Sequence, residues 1–149
     1  MLRNIAAIVA GYLTAAVFVA VALSLVWMRT GAAWAFEPGT TRVTTNWLLI
    51  HIPIIFVGTF LGGFLAAAIA KSRNVVRLLA TIFFVLDMVL AILHATMTRP
   101  VPLKSPSQFT IAEAANYAIQ PLWYDFAIPF AAAAGVLLGG YMWLRKPSA

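Results

Sequence analysis

Four long apolar segments limit the folds open to this chain more than any other feature. They cover approximately residues 5–28, 47–70, 78–97 and 122–144, and each contains at most one charged residue. A helix of about 20 apolar residues spans the roughly 30 Å hydrocarbon core of a bilayer. The sequence therefore predicts an all-α integral membrane protein, with residues 1–149 forming a single domain of four transmembrane helices in an antiparallel bundle.

Composition supports this class and excludes others. The chain is 63% hydrophobic and 9% charged, whereas soluble domains are roughly 45–50% apolar and about 25% charged. It has no cysteine, which excludes disulfides and thiolate metal sites. The net charge of +6 comes from basic residues that flank the apolar segments. We therefore expect the lipid bilayer, and not nucleic acid, as the partner of these charges.

Basic residues are also divided unequally between the two sides of the membrane. The side with both termini carries six of them and the other side four: Arg3, Lys71, Arg73, Arg77, Arg145 and Lys146 against Arg29, Arg42, Arg99 and Lys104. This bias predicts cytoplasmic termini, in a bacterial inner membrane. The first segment is longer than the roughly 7–15 residue core of a signal peptide, so we expect it to be retained.

The third loop contains signals for a short helix. It runs from Arg99 to Gln120 and is rich in proline. Thr110 and Glu113 have the spacing of a capping box, in which each residue hydrogen-bonds the backbone of the other. Pro121 follows the segment. The sequence predicts a helix at about 110–119 that lies in the plane of the membrane interface.

Small residues recur every four positions in three of the spans, which lets neighbouring helices approach closely. The stripes are Ala7, Gly11 and Ala15; Gly58, Gly62, Ala66 and Ala70; and Ala127, Ala131, Gly135 and Gly139. We expect a chain this short to leave part of these surfaces uncovered. The stripes therefore predict other membrane protein subunits, or further copies of this chain, as partners.

The two halves of the chain resemble each other. Matching residues recur at nearly constant offsets: Arg3-Asn4-Ile5 with Arg73-Asn74-Val75, Trp47 and Pro53 with Trp123 and Pro129, and Gly58 and Gly62 with Gly135 and Gly139. One hypothesis is a duplicated two-helix hairpin with a pseudo-two-fold axis along the membrane normal. The alternative is a chance match between apolar sequences. Duplication predicts equivalent positions for the second and fourth spans.

Asp87 lies in the middle of the third span, where an acid is energetically costly. At about 1.5 Å per helical residue, Tyr12, Thr14 and Thr59 lie at similar depth and are candidate hydrogen-bond partners. Two interpretations stay open. Asp87 is a neutral acid that packs or contacts another subunit, or it is the proton or cation site of a carrier or channel.

Two histidines lie near the opposite side of the membrane from the termini. His51 and His94 have similar depths in consecutive antiparallel spans, an arrangement that would allow both to ligate a haem iron. The alternative is that each is a hydrogen-bonded structural residue. Asp125 begins the fourth span and is either a partner of His94 or Arg99, or an interfacial residue near a helix N-terminus.

Catalytic motifs are missing from the sequence, which has no phosphate-binding loop and no H-E-x-x-H pattern. The sequence therefore favours a non-catalytic protein, either an accessory or packing subunit of a larger membrane assembly or a homo-oligomer. A carrier or channel that uses Asp87 is one alternative. A haem- or pigment-binding redox subunit that uses His51 and His94 is the other.

Overall fold

The protein is described by a computed structural model over residues 1–97 and 102–145. Its helices are α1 (Leu2–Thr30), α2 (Ala32–Ala35), α3 (Thr45–Ala70), α4 (Arg73–Thr96), α5 (Ile111–Tyr117) and α6 (Leu122–Leu144), with a 3-10 turn at Pro106–Gln108. Within the described residues, α1, α3, α4 and α6 are long and apolar enough to cross a membrane. The predicted all-α bundle of four spanning helices is confirmed.

Local sequence signals explain where the long helices begin and end. Gly31 has a φ of 69° and separates α1 from α2, a conformation that glycine adopts at little cost. The Thr44 side chain caps α3 by accepting a hydrogen bond from the backbone N–H of Trp47. Pro53 lies inside α3 and Pro129 inside α6. Each is within about three turns of the start of its helix.

The four spans form a ring in the order α1, α3, α6, α4. The α3 helix packs against both α1 and α6, and α4 packs mainly against α6. The ring closes where Tyr12 of α1 stacks on Phe83 of α4, with ring centroids 5.1 Å apart. Although only residues 71–72 connect α3 to α4, these two helices make few contacts with each other, because α4 packs mainly against α6.

The glycines of all three small-residue stripes are used inside this ring. A Cβ atom on Gly11 would lie 2.7 Å from the carbonyl oxygen of Gly62 and 3.0 Å from Cβ of Ala66. Gly58 likewise faces Ala15 and Phe18 of α1. The stripe of α6, Gly135 and Gly139, contacts the α3 backbone at Phe56 and Phe60. The stripes of α1 and α3 are buried within the bundle, whereas Ala127 and Ala131 of the third stripe stay half-buried. A protein partner for the uncovered part stays a prediction.

The same contacts bear on the proposed repeat. Gly58 and Gly62 of α3 face α1, whereas Gly135 and Gly139 of α6 face α3. The α3 helix lies between two neighbours and presents a separate surface, at Gly63, to Val136 of α6. The matched glycines therefore face different neighbours, although α3 and α6 each pack against the other and against one further span. The equivalence of the two spans and the sequence duplication stay predictions.

The two loops opposite the termini fold together into a cap. We use this name for residues 31–44 and 105–121, and we call the two ends of the bundle the cap end and the terminal end. The backbone N–H of Val43 donates to the carbonyl of Ile119, at 3.1 Å, and that of Ile119 donates to Thr41, at 2.8 Å. These pairings join the two loops directly, so the cap is one folded unit.

The predicted short helix is present as α5. Thr110 and Glu113 form both hydrogen bonds of the capping box. Ala114 and Ala118 are buried in an apolar cluster that also contains Phe36, Val43 and Tyr124. The α5 helix is thus part of the cap, and its orientation relative to the membrane interface stays a prediction.

Candidate functional site

A cavity of about 150 Å³ lies beneath the cap. Its walls come from the ends of α1 and α3, from α2 and from α5. The lining is mostly apolar, with Trp27, Phe36 and Trp47 as its aromatic members and His51 and Gln120 as its polar side chains. This cavity combines an apolar interior with a few fixed polar groups, which is the usual composition of a ligand site.

Aromatic contacts hold the walls of the cavity in place. Trp27 meets Trp47 edge to face, with ring centroids 5.9 Å apart, and meets Phe36 in the same way at 6.3 Å. Trp34 packs against the outer side of this group, 6.2 Å from Trp47. Edge-to-face pairs of this kind contribute about 0.5–1.5 kcal/mol beyond the burial of their surface. The aromatic rings therefore support one another in the cavity wall.

His51 is positioned by α6. Its Nδ1 atom shares a hydrogen bond with the Tyr124 hydroxyl, and the two rings stack with centroids 5.8 Å apart. Tyr124 is only 1% exposed, so its hydroxyl depends on this partner. If the tyrosine donates, Nδ1 accepts and the second ring nitrogen, Nε2, carries a proton that can be donated to a ligand.

His94 and Asp125 form a second polar pair at the cap end. Nδ1 of His94 lies 3.7 Å from Oδ1 of Asp125, a separation suited to an ion pair when the imidazole is protonated. The Asp125 side chain is 6% exposed and that of His94 is 42% exposed. The sequence placed Asp125 either beside a basic partner or at an exposed interface, and the structure buries it next to His94. Arg99, the other suggested partner, lies outside the described residues.

The two histidines do not line the same cavity. Nδ1 of His51 bonds the Tyr124 hydroxyl, which leaves Nε2 open to a ligand, and His94 is not among the residues that line the cavity beside His51. A haem site that uses both histidines stays a prediction. Within residues 1–97 and 102–145, no group of three His, Cys, Asp or Glu side chains could hold a metal ion.

Asp87 lies half-buried on the face of α4 that also carries Phe83 and Ala91. It makes no hydrogen bond with any residue that the structure describes. The predicted hydroxyl partners are engaged elsewhere or face away: Tyr12 stacks on Phe83, Thr59 donates to the Ile55 carbonyl at 2.8 Å, and Thr14 lines a surface groove on α1. Asp87 does not line the cap cavity either.

Sequence reasoning missed the cavity and its aromatic frame. Trp34 and Trp47 are expected at a membrane interface for their amphipathic rings alone, and the structure uses them, together with Phe36, as cavity walls or supports. One signal was available, since Trp47 and His51 are one helical turn apart and share a face of α3. Tyr124 was not recognised, because its contact with His51 joins residues 73 positions apart.

The fold defines a class, an all-α integral membrane protein of four spans, and this member has a mostly apolar cavity at one end. Comparison with protein-family models, with curated proteins and with solved structures gives no match. The function is therefore argued from the geometry of the cap.

Proposed function

We propose that this protein is a non-catalytic membrane protein that binds a small aromatic molecule in the cap cavity. One observation carries the proposal, namely that the cavity brings three aromatic side chains together with the hydrogen-bonded His51–Tyr124 pair. Apolar walls supply affinity, and a few fixed polar groups orient the ligand. His51 is the candidate orienting group because it is the imidazole that lines the cavity.

The size of the cavity narrows the ligand class. The volume is about 150 Å³, and an apolar protein cavity of about 150 Å³ can hold one benzene molecule. A single aromatic ring with one hydroxyl or carbonyl group would fill the space and reach His51. Larger ligands would require the cap to open.

The orientation of the protein is part of the proposal. Among the described residues, the terminal end carries five basic side chains and the cap end three: Arg3, Lys71, Arg73, Arg77 and Arg145 against Arg29, Arg42 and Lys104. The positive-inside bias supports cytoplasmic termini and a cap on the outer face of a bacterial inner membrane. In that orientation the cavity receives ligands from outside the cell.

Tryptophan fluorescence provides a direct test, because Trp27 and Trp47 line the cavity. Purified protein is titrated with phenol and with toluene, which differ in hydrogen bonding but little in size. We expect saturable binding of both, with phenol favoured. In His51→Phe the preference for phenol should fall by a factor of about 2 to 12, since one hydrogen bond contributes about 0.5–1.5 kcal/mol.

Two further variants make this test selective. Ala115→Trp should block both ligands, because Ala115 lines the cavity. Leu138→Ala, on the exposed face of α6, should bind both ligands as the unmodified protein does. Non-saturable fluorescence changes, or equal binding in Ala115→Trp, would contradict the proposal.

A second candidate function is that of an accessory subunit or a homo-oligomer, favoured by the exposure of α1. Only 17% of the most apolar part of α1 is buried, against 33% in each of the other spans. Its exposed apolar face includes Val9, Leu13, Val17 and Val21. Because the chain has no cysteine, a Val17→Cys variant tests self-association by disulfide formation in membranes, with Leu138→Cys as the control. Equal cross-linking of both variants, or none, would count against a homo-oligomer built on α1.

A further inference from the structure

We propose that the terminal end of the bundle contains a binding site for a phosphate group. A pocket of about 180 Å³ lies there between α4 and α6. Its lining consists of Arg73, Arg77, Tyr141, Leu144 and Arg145. Three guanidinium groups thus share one pocket, far from the cap cavity and independent of it.

The packing of α4 against α6 builds this pocket. Arg73 and Arg77 are one turn apart and therefore lie on the same face of α4. Gly140 allows α6 to approach closely, because a Cβ atom there would lie 2.7 Å from Cγ2 of Val76. Tyr141, the next residue, then reaches Arg77.

A hydrogen bond between the two helices orients one of the arginines. Nε of Arg77 donates to the Tyr141 hydroxyl at 3.1 Å. A guanidinium group has five N–H donors in a fixed plane, so four remain for a ligand. Tyr141 therefore acts as a positioning residue that holds the planar fork of Arg77 at the pocket.

No acidic side chain balances the positive charge of the pocket. The chain has four Asp and Glu residues in total. Glu37, Glu113 and Asp125 lie at the cap end, and Asp87 lies in the middle of α4. Three neighbouring guanidinium groups repel one another in the absence of an anion. Among the described residues, no acidic side chain lies at this end, so an anion from solution or from the membrane suits the pocket.

The N-terminus of α4 adds to the attraction. Ser72 precedes the helix but makes no capping hydrogen bond with its side chain, and the first turn contains no acidic residue. The positive end of the helix dipole and its free backbone N–H groups favour an anion at this position. The N-terminus of α4 and the arginines therefore both favour an anion.

A phosphate group suits the arginine donors of this pocket. Arginine forks bind phosphate oxygens in pairs, with defined geometry. The pocket lies at the end of two spanning helices, and Leu78 and Met142 are exposed apolar neighbours of Arg77 and Tyr141. Basic pockets between spanning helices are typical sites for anionic lipid headgroups. We therefore expect the phosphate to be that of a lipid, with acyl chains on this apolar surface.

Binding to the purified full-length protein in uncharged detergent tests the site. The probes are short-chain phosphatidic acid, short-chain phosphatidylcholine and inorganic phosphate, with affinity measured by calorimetry. We expect saturable binding of phosphatidic acid at least tenfold tighter than that of phosphatidylcholine. Weaker, saturable binding of inorganic phosphate is expected, because the headgroup chemistry is shared and the acyl contacts are lost. Inorganic phosphate binding as tightly as the lipid would assign the site to free phosphate.

Matched variants locate the site. Arg77→Gln and Arg73→Gln should each weaken phosphatidic acid binding at least tenfold, whereas Arg42→Gln, at the cap end, should leave it unchanged. Tyr141→Phe should weaken binding several-fold without changing the charge, a loss that general electrostatic attraction does not predict. Unchanged binding in Arg77→Gln and Tyr141→Phe, or equal binding of phosphatidylcholine, would overturn the proposal.

Discussion

At the scale of single residues, the structure changes the partners that the sequence suggests. Counting along a helix gives the depth of a residue in the membrane but not the direction in which its side chain points. Depth alone therefore suggested Tyr12, Thr14 and Thr59 as hydrogen-bond partners of Asp87. It also suggested a shared site for His51 and His94. In the structure His51 pairs with Tyr124, and Asp87 hydrogen-bonds none of the three hydroxyls.

Asp87→Leu tests the interpretation of Asp87 as a packing residue. The carboxyl group is half-buried and has no hydrogen-bond partner among the described residues, so replacing it with an apolar side chain should remove its desolvation cost. We expect the variant to be more stable by about 1 kcal/mol, seen as a higher thermal unfolding midpoint in detergent. Asp125→Asn is the comparison and should be less stable, because Asp125 is buried beside His94. A less stable Asp87→Leu would indicate an essential interaction of the acid.

The stability of the cap depends on pH through the ionisation of Glu113. The hydrogen bond from Lys104, followed by those from the Thr110 backbone and hydroxyl, lowers the pKa of Glu113 from 4.5 to about 2. Because the folded pKa lies below the unfolded one, Glu113 stabilises α5 fully above about pH 4.5, and this contribution is lost as the pH falls towards about 2.

Carboxyl NMR measures this pKa directly. We expect the Glu113 resonance to titrate with a midpoint near 2 in the unmodified protein. The midpoint should move towards 4.5 in Lys104→Met, because the largest cause of the shift is removed. An unchanged midpoint in Lys104→Met would mean that the ion pair does not form in solution.

At the scale of helices, the sequence predicts which helices form better than it predicts which helices pack against each other. Hydropathy and length define the four spans, and the Thr110–Glu113 capping box defines the start of α5. Small-residue stripes identify surfaces of close approach. They do not specify the facing helix, which is why α6 was not expected to place Gly135 and Gly139 on α3.

Gly139→Ala tests this helix assignment. An added Cβ would overlap the backbone carbonyl of Phe60 in α3, and overpacking of this kind costs about 1–3 kcal/mol. We expect a lower thermal unfolding midpoint in detergent. Leu138→Ala, one residue away on the exposed face, should change the midpoint much less. Equal midpoints for Gly139→Ala and the unmodified protein would contradict the packing of α6 on α3.

At the scale of the whole molecule, the two ends of the bundle differ in chemistry. The cap end has an aromatic cavity with His51, and the terminal end has an arginine pocket without acidic side chains. The cap was not predictable from local patterns, because it depends on pairings such as Arg42 with Ile119 between two separate loops. The arginines were visible in the sequence, but their convergence on Tyr141 depends on the packing of α4 against α6.

The central claim is that the cap cavity binds a single aromatic ring through His51. A crystal structure of the protein with 4-bromophenol tests it most directly, since anomalous scattering locates the bromine atom. The account predicts bromine within the cavity between Trp27 and Trp47, with the phenol hydroxyl at hydrogen-bond distance from His51. An empty cavity at saturating ligand, or bromine only at the lipid-facing surface, would contradict it.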